Sequence, residues 1–261
     1  MHAGLRGTGG AAFIVCSLLL TAGCDFGGGK DTSQDKDAEA RSASPSASPS
    51  ASATPSPLTA GQVKAALLTA AELPSGWRKD RTFPEDDNAG QYEFQIAIAE
   101  KAACQPVLDT VVGSDDGPKP ENVAVRAFTK GPDGPNLLTG ISAYLPDEAR
   151  ERVDASTMPK DCTDFTARDQ ELGKVRVRFQ RLNLPDVGDA SLGTRVRLIP
   201  ADKTVFSVQF DNAVVRVGGA IVNVSMLSYS KTDQASFVRA VRASVDKATK
   251  TAAISSPAVD S

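Results

Sequence analysis

The chain has 261 residues, 29 of them basic and 32 acidic, for a net charge of −3 and a pI near 5.3. That length holds one domain with tails or two small domains. A mildly acidic chain lacks the basic surface that phosphate backbones require, so no nucleic-acid partner is expected.

Residues 1–23 predict a signal peptide. Arg6 and the amino terminus give a short positive region, and Ala11 to Leu20 form an apolar run of ten residues. Such a run is too short to cross a hydrocarbon core, which takes about 20 residues, and suits a signal sequence. It ends in Leu20-Thr21-Ala22-Gly23-Cys24, which resembles the lipobox of bacterial lipoproteins. The resemblance implies that the Cys24 thiol is acylated and becomes the first residue after cleavage. No later segment approaches membrane length, so lipid would be the only anchor to the extracytoplasmic face of the cell membrane.

Of the four cysteines, Cys16 would be lost with the signal and Cys24 would carry lipid. Cys104 and Cys162 remain, an even pair in an exported chain, and a disulfide between them is expected. It would stabilise the fold by about 4 kcal/mol in the chain-entropy picture. Two buried thiols are the alternative. No other soft ligands accompany the pair, so no metal and no cofactor are expected.

Residues 24–57 contain nothing that can build a core. Gly27-Gly28-Gly29 leads into a mixed-charge stretch, and Ser42 to Pro57 consist only of Ser, Ala, Pro and Thr. This composition predicts a disordered tether of about 30 Å as a coil and about 100 Å if fully extended.

Residues 58–250 predict the folded part. Thr59-Ala60-Gly61-Gln62 and Thr69-Ala70-Ala71-Glu72 both match a capping box, the first opening a short helix. Tyr92 to Ile98 is a strand candidate, and Ala99 to Val112 a helix carrying Cys104 with an interruption near Pro106. Val123 to Phe128 and Leu137 to Tyr144 alternate as strands. Pro146 to Ser156 is helical, with Pro and acids in its first turn. Phe165, Lys174 to Leu182, Thr194 to Ile199, Thr204 to Phe210, Val214 to Val217 and Ala220 to Leu227 read as strands, with Gly218-Gly219 as a tight hairpin turn. Asp233 to Lys250 is an amphipathic helix, with Phe237, Val238, Val241, Val245 and Ala248 on one face. Residues 251–261 are expected to be a disordered tail. Short loops between consecutive strands, with helices toward the ends and between strands, predict a single α+β domain on an antiparallel sheet.

The chemistry inventory is sparse. The one histidine, His2, lies in the signal, so histidine bases, Ser–His–acid triads and His-ligated zinc are excluded from the processed chain. Asp115-Asp116-Gly117 lacks the rest of a calcium loop and reads as a turn. Ser228-Tyr229-Ser230-Lys231 fits the S-x-x-K motif of penicillin-recognising enzymes, but so does Ser244-Val245-Asp246-Lys247, and no partner motif follows. Asp186 and Asp189 flank Gly188 as a possible carboxylate pair, with turn formation the simpler reading. Trp77, the only Trp, reads as a core or edge anchor. The strongest polar signal is a stripe. In Lys174 to Gln180, Val175, Val177 and Phe179 face one way while Lys174, Arg176 and Arg178 face the other. Arg195 and Arg197 repeat the pattern. Neighbouring strands would gather Arg176, Arg178, Arg195 and Arg197 into a basic patch able to bind an anionic envelope polymer or lipid head group. Ion pairing across a solvated face is the rival reading.

Leu67-Leu68-Thr69-Ala70-Ala71-Glu72-Leu73-Pro74-Ser75-Gly76-Trp77, the Cys104 helix, Cys162 before a strand, Val187-Gly188-Asp189, and Val215-Arg216-Val217-Gly218 running into Val222-Asn223-Val224 complete the picture. Together they resemble the extracellular sensor domain of PknH-type receptor serine/threonine kinases and lipoproteins that carry such a domain alone. The resemblance implies an α+β fold whose sheet forms a ligand cleft. Two disulfides occur in the kinase sensors, and this chain can form one. The function expected is a lipid-anchored, extracytoplasmic binding or sensing module without catalytic activity, for an unknown envelope ligand or protein partner. The alternative is an envelope lipid or glycolipid carrier. A carrier requires that the inward residues Val123, Val125, Val175, Val177, Phe179, Phe206, Val208 and Phe210 line a void rather than pack solid. A third possibility, a histidine-free hydrolase, requires paired carboxylates in a cleft.

Overall fold

The computed structural model describes residues 56–83, 97–112, 118–132, 134–154, 161–229 and 232–255, all within one compact unit, Ser52–Ser261. The signal peptide, Cys24, the tether, most of the Tyr92 to Ile98 strand candidate, Asp115 to Gly117 and Lys231 lie outside the described residues.

Alternating residues in the second half of the chain pair by successive hairpins, as short loops dictate. β5 (Asp164–Asp169), β6 (Gly173–Leu182), β7 (Ala190–Pro200), β8 (Val208–Val217) and β9 (Ala220–Ser228) form a meander. The earlier hairpin of β3 (Asn122–Thr129) and β4 (Asn136–Ala143) joins it through β4, which pairs antiparallel with β9. Two short strands close the edges: β1 (Arg78–Lys79) on β3 and β2 (Ile98–Ala99) on β5. The result is one nine-stranded sheet in the order β1-β3-β4-β9-β8-β7-β6-β5-β2. With its helices it has the α+β antiparallel architecture that the sequence predicts.

Each face of the sheet has its own cover. α1 (Ala60–Ala66) and α4 (Gln234–Ser255) lie on the first face. There Val63 and Leu68 from the α1 region and Phe237, Val241 and Val245 of α4 pack on Phe128, Ile141, Val215, Val222 and Val224. α2 (Gln105–Val112) and α3 (Pro146–Asp154) lie on the second face. Val107 and Leu108 of α2 pack with Cys104 and Cys162 on Phe165, Val177, Phe179 and Val196. Ala149 of α3 packs with Tyr144 and Ile221. Two apolar layers therefore sandwich the sheet, which explains the buried runs in β8 and β9 in place of strict alternation.

The helix ends follow from local side chains. The Thr59–Gln62 capping box forms, with Gln62 N donating to Thr59 Oγ1 at 3.4 Å and Thr59 N to Gln62 Oε1 at 2.7 Å. The Thr69–Glu72 box caps a single 3-10 turn. Asp233 caps α4, accepting from Ser236 N at 3.1 Å and Ser236 Oγ at 2.7 Å.

Four sequence expectations need correction. α4 runs to Ser255, so the folded part extends past Lys250 into the segment expected to be a tail. Pro106 does not interrupt a helix. Cys104 closes a 3-10 turn and Pro106 sits in the first turn of α2, where a missing N–H has no cost. Of Thr204 to Phe210 only Val208 to Phe210 are strand, as the start of β8; Thr204 to Ser207 are not, because Asp202 Oδ1 accepts from Thr204 N at 2.9 Å and Thr204 Oγ1 at 2.7 Å. That bonding curls the chain into a turn and leaves Phe206 exposed, not inward. β8 is also unbroken at Asp211-Asn212, which the sequence reading treated as a gap. Val123 and Val125 are half-buried and share the second face, while Ala124 and Phe128 of β3 enter the first-face core.

Gly188 and Gly218 shape the hairpin end. Gly188 has φ +67°, and a Cβ there would lie 2.5 Å from the Arg216 carbonyl oxygen, so only glycine fits. Gly218 has φ +59° at the β8–β9 turn.

Candidate functional site

Side chains on the second face alternate with those on the first, and the two surfaces differ in chemistry. Leu198, Val208, Phe210 and Leu227 come from β7, β8 and β9 and floor a cleft of about 570 Å³. Asp80 and Phe83, just beyond β1, line it from one side, and Asp169 to Leu172 of the β5–β6 turn from the other. Residues from opposite ends of the strand order thus meet over one cleft, which means that the sheet curls around it. Polar groups at the wall include Asn136, Ser225 and Tyr229.

Two of the three cleft acids, Asp80 and Asp169, accept from backbone amides. Asp80 Oδ1 accepts from Thr82 Oγ1 at 2.7 Å and Thr82 N at 2.9 Å. The Thr82 hydroxyl and amide hold the Asp80 carboxyl below the usual carboxylate range. Asp169 Oδ1 accepts from Glu171 N at 2.9 Å and Leu172 N at 2.8 Å, fixing the turn. Among the described residues no three His, Cys, Asp or Glu are gathered as a metal site. The cleft thus has an apolar floor and a polar wall.

The predicted basic stripe is assembled on the first face. β6 and β7 are neighbours, with Arg178 opposite Arg197 and Gln180 opposite Arg195. The four arginines are not equivalent. Arg195 donates from Nε to Asp211 Oδ1 at 2.6 Å and from Nη2 to Asp211 Oδ2 at 2.7 Å and Gln234 Oε1 at 2.6 Å. It ties β7 to β8 and α4. Arg176 makes a bidentate pair with Asp164 at 2.7 and 2.6 Å, and Arg178 approaches the same carboxylate at 3.6 Å. Arg197 is exposed and has no hydrogen-bond or ion-pair partner among the described residues. Both sequence readings therefore describe part of the surface: a basic patch, three of whose four arginines are engaged in cross-strand pairs.

The other candidates have structural posts. Asp189 Oδ2 accepts from Gly218 N at 2.7 Å and Arg216 Nη1 at 3.2 Å, latching the β8–β9 turn, while Asp186 is exposed. Lys247 donates to the Leu67 carbonyl at 2.7 Å and to Glu72 at 3.1 Å, so it does not serve Ser244 as a base. Trp77 is buried. Its Nε1 donates to Ser236 Oγ at 3.3 Å, and the Lys130 ammonium lies 5.5 Å from the ring centroid. The Cys104 and Cys162 sulfurs are at bonding distance, 2.01 Å, with Cα atoms 5.4 Å apart. The resemblance implied a cleft in the sheet, but its lining was not read from the residues, because its walls come from segments almost ninety residues or more apart. The one available signal was the set of apolar residues at alternate positions of β7, β8 and β9.

These features define an α+β module with a curled antiparallel sheet, two helical covers and a concave face with an apolar floor. No protein-family model matches the chain, and no curated protein matches it in sequence. Among solved structures, the chain is similar to the extracellular domain of PknH from Mycobacterium tuberculosis. The TM-score is 0.53 over 75% of this chain and 98% of that one, at 16% identity. An uncharacterised protein from Mycobacterium smegmatis, the Rv0999 ortholog, gives a TM-score of 0.45 over 73% of this chain and 95% of that one, at 15% identity. The chain has the fold of the PknH extracellular domain, as its sequence motifs implied.

Proposed function

We propose that the protein is a lipid-anchored, extracytoplasmic binding or sensing module that works without catalysis and takes its ligand or protein partner in the cleft. The observation that carries this reading is the cleft of about 570 Å³, with its apolar floor and polar wall. Pockets of this size and lining hold small ligands. The shared fold with an extracellular domain, the export-type amino terminus and the paired cysteines support the location. The turn-bound acids and the absence of histidine beyond His2 support a non-catalytic role.

A native mass spectrum of the protein purified from its own host's envelope tests the cleft. Extra mass that leaves on denaturation is expected, and Phe210→Trp, which fills the floor, should remove it. A bare protein, or a retained mass indifferent to Phe210→Trp, overturns the reading. The apolar floor also favours an envelope lipid or glycolipid carrier as the second reading, and a lipid mass would select it. The anchor is tested separately: Cys24→Ser should move the protein from the membrane pellet to the soluble envelope fraction. A variant that stays in the pellet overturns lipidation at Cys24.

A further inference from the structure

At one end of the sheet, exposed apolar side chains and unpaired cations lie together. The turn between β7 and β8 presents Val205 at 39% and Phe206 at 72% exposure, beside Lys203. Ala201 N, at the start of that turn, donates to the Lys174 carbonyl at 3.1 Å, so the turn sits against the first residues of β6. Arg168 is the cross-strand partner of Lys174 on β5, and Ile98, 56% exposed, is the partner of Arg168 on β2. Arg197 lies three residues before the end of β7, about 10 Å from the turn along the strand. Ile98, Arg168, Lys174 and Arg197 share the first face, which neither α1 nor α4 covers at β5 and β6.

The charges are unbalanced in one direction. Lys174 pairs with Glu100 at 3.3 Å, and Asp164 is occupied by Arg176. Asp202 is turned onto Thr204. Arg168, Arg197 and Lys203 have no hydrogen-bond or ion-pair partner among the described residues. Arg178 and Arg197 face each other across the ladder, and the one carboxylate near them, Asp164 at 3.6 Å from Arg178, is held bidentately by Arg176. Arg168, Arg197 and Lys203 are all exposed. The surface lies on the back of the curled sheet, opposite the cleft, and offers its cations to something extended.

We propose that this end of the sheet docks on the surface of an anionic phospholipid bilayer. Val205 and Phe206 enter the head-group boundary, and Arg168, Arg197 and Lys203 meet lipid phosphates. Apolar residues flanked by basic ones are the combination that binds such interfaces, with burial and charge adding. A tether of residues 24–57 has the reach to let the domain lie down on the membrane that holds it. The inference takes only its cellular setting from the lipid-anchored reading, because the contact uses no acyl chain.

The test uses the chain from residue 24 with Cys24→Ser, which keeps the whole unit Ser52–Ser261 and carries no lipid. It is sedimented with vesicles of equal parts phosphatidylglycerol and phosphatidylcholine, and with phosphatidylcholine alone. Binding is expected only to the anionic vesicles and should weaken with salt. Phe206→Ser should weaken it about tenfold, and Arg197→Gln or Arg168→Gln about fivefold each. These side chains are exposed, so the fold is untouched. Equal binding to both vesicle types, no binding, or binding unchanged in all three variants overturns the proposal. So does a dimer in sedimentation velocity that Phe206→Ser dissociates, which would assign the patch to a second copy.

Discussion

Asp211 carries more structural consequence than any other charged side chain in the described residues. It is 1% exposed, sits in the middle of β8, and receives Arg195 bidentately together with Gln209 Nε2 at 3.0 Å. A buried carboxylate is tolerated only with such partners, and removing one side leaves the other charge without compensation. Asp211→Ala should therefore lower the unfolding free energy by about 3 kcal/mol, read by urea titration, whereas Arg176→Ala on the exposed Asp164 pair should leave the unfolding midpoint nearly unchanged. Equal losses would show that Asp211 is not held as described. The sequence did not announce this role. Asp and Asn in tandem are turn formers by local preference, and only the partner on the adjacent strand makes them strand residues. Arg195 was legible as part of a basic stripe, but its commitment to Asp211 was not.

At the scale of elements, legibility followed the range of the controlling interaction. α1, α3 and α4 were readable because caps and periodic apolar faces are local. The Asp202–Thr204 turn was also local, yet it was missed because the apolar residues Val205 and Phe206 imitate a strand. The edge strands β1 and β2, each of two residues, have no pattern long enough to detect. The cleft was implied by resemblance, but its lining was not legible for the same reason in larger form: it exists only once separated strands curl together. The α2 region depends on a link that cysteine counting did expect. The 3-10 turn ending at Cys104 is joined to Cys162, 58 residues away, at the β2–β5 edge. Cys104→Ser with Cys162→Ser should destabilise the unit by about 4 kcal/mol and loosen α2 ahead of α4, measured by hydrogen exchange. Uniform loss of protection across both helices would contradict a locally anchored α2.

For the molecule as a whole, acid is the relevant stress. Asp80, Asp164 and Asp202 are held below the ordinary carboxylate range, first by hydrogen bonds from Thr82, Arg176 and Thr204 respectively. For Asp233 and Glu72, burial pushes upward, and bonds from Lys130, Ser236, Thr69 and Lys247 outweigh it. A depressed carboxyl stabilises the fold above its unfolded value and loses that contribution as pH falls through its folded value. Unfolded values lie near pH 4. Stability should thus decline below about pH 4. Between about pH 5 and 8 it should stay nearly level, because His2 is the only histidine in the sequence. A thermal-melting series in pH checks this, and a step near pH 6.5, the ordinary histidine value, would show that another group controls stability.

The strand order has one more implication, for the way the protein reaches its folded state. β4 has no long-lived neighbour except β3 until β9 exists, and β5 to β8 form a separate ladder in the meantime. β9 is the last strand made and the only one that binds both groups, β4 on one side and β8 on the other. Two half-sheets must wait, each with an open edge, for a keystone made after both. Such long-range closure is slow and exposes strand edges while it waits. A chain kept unfolded until β9 is available avoids that interval.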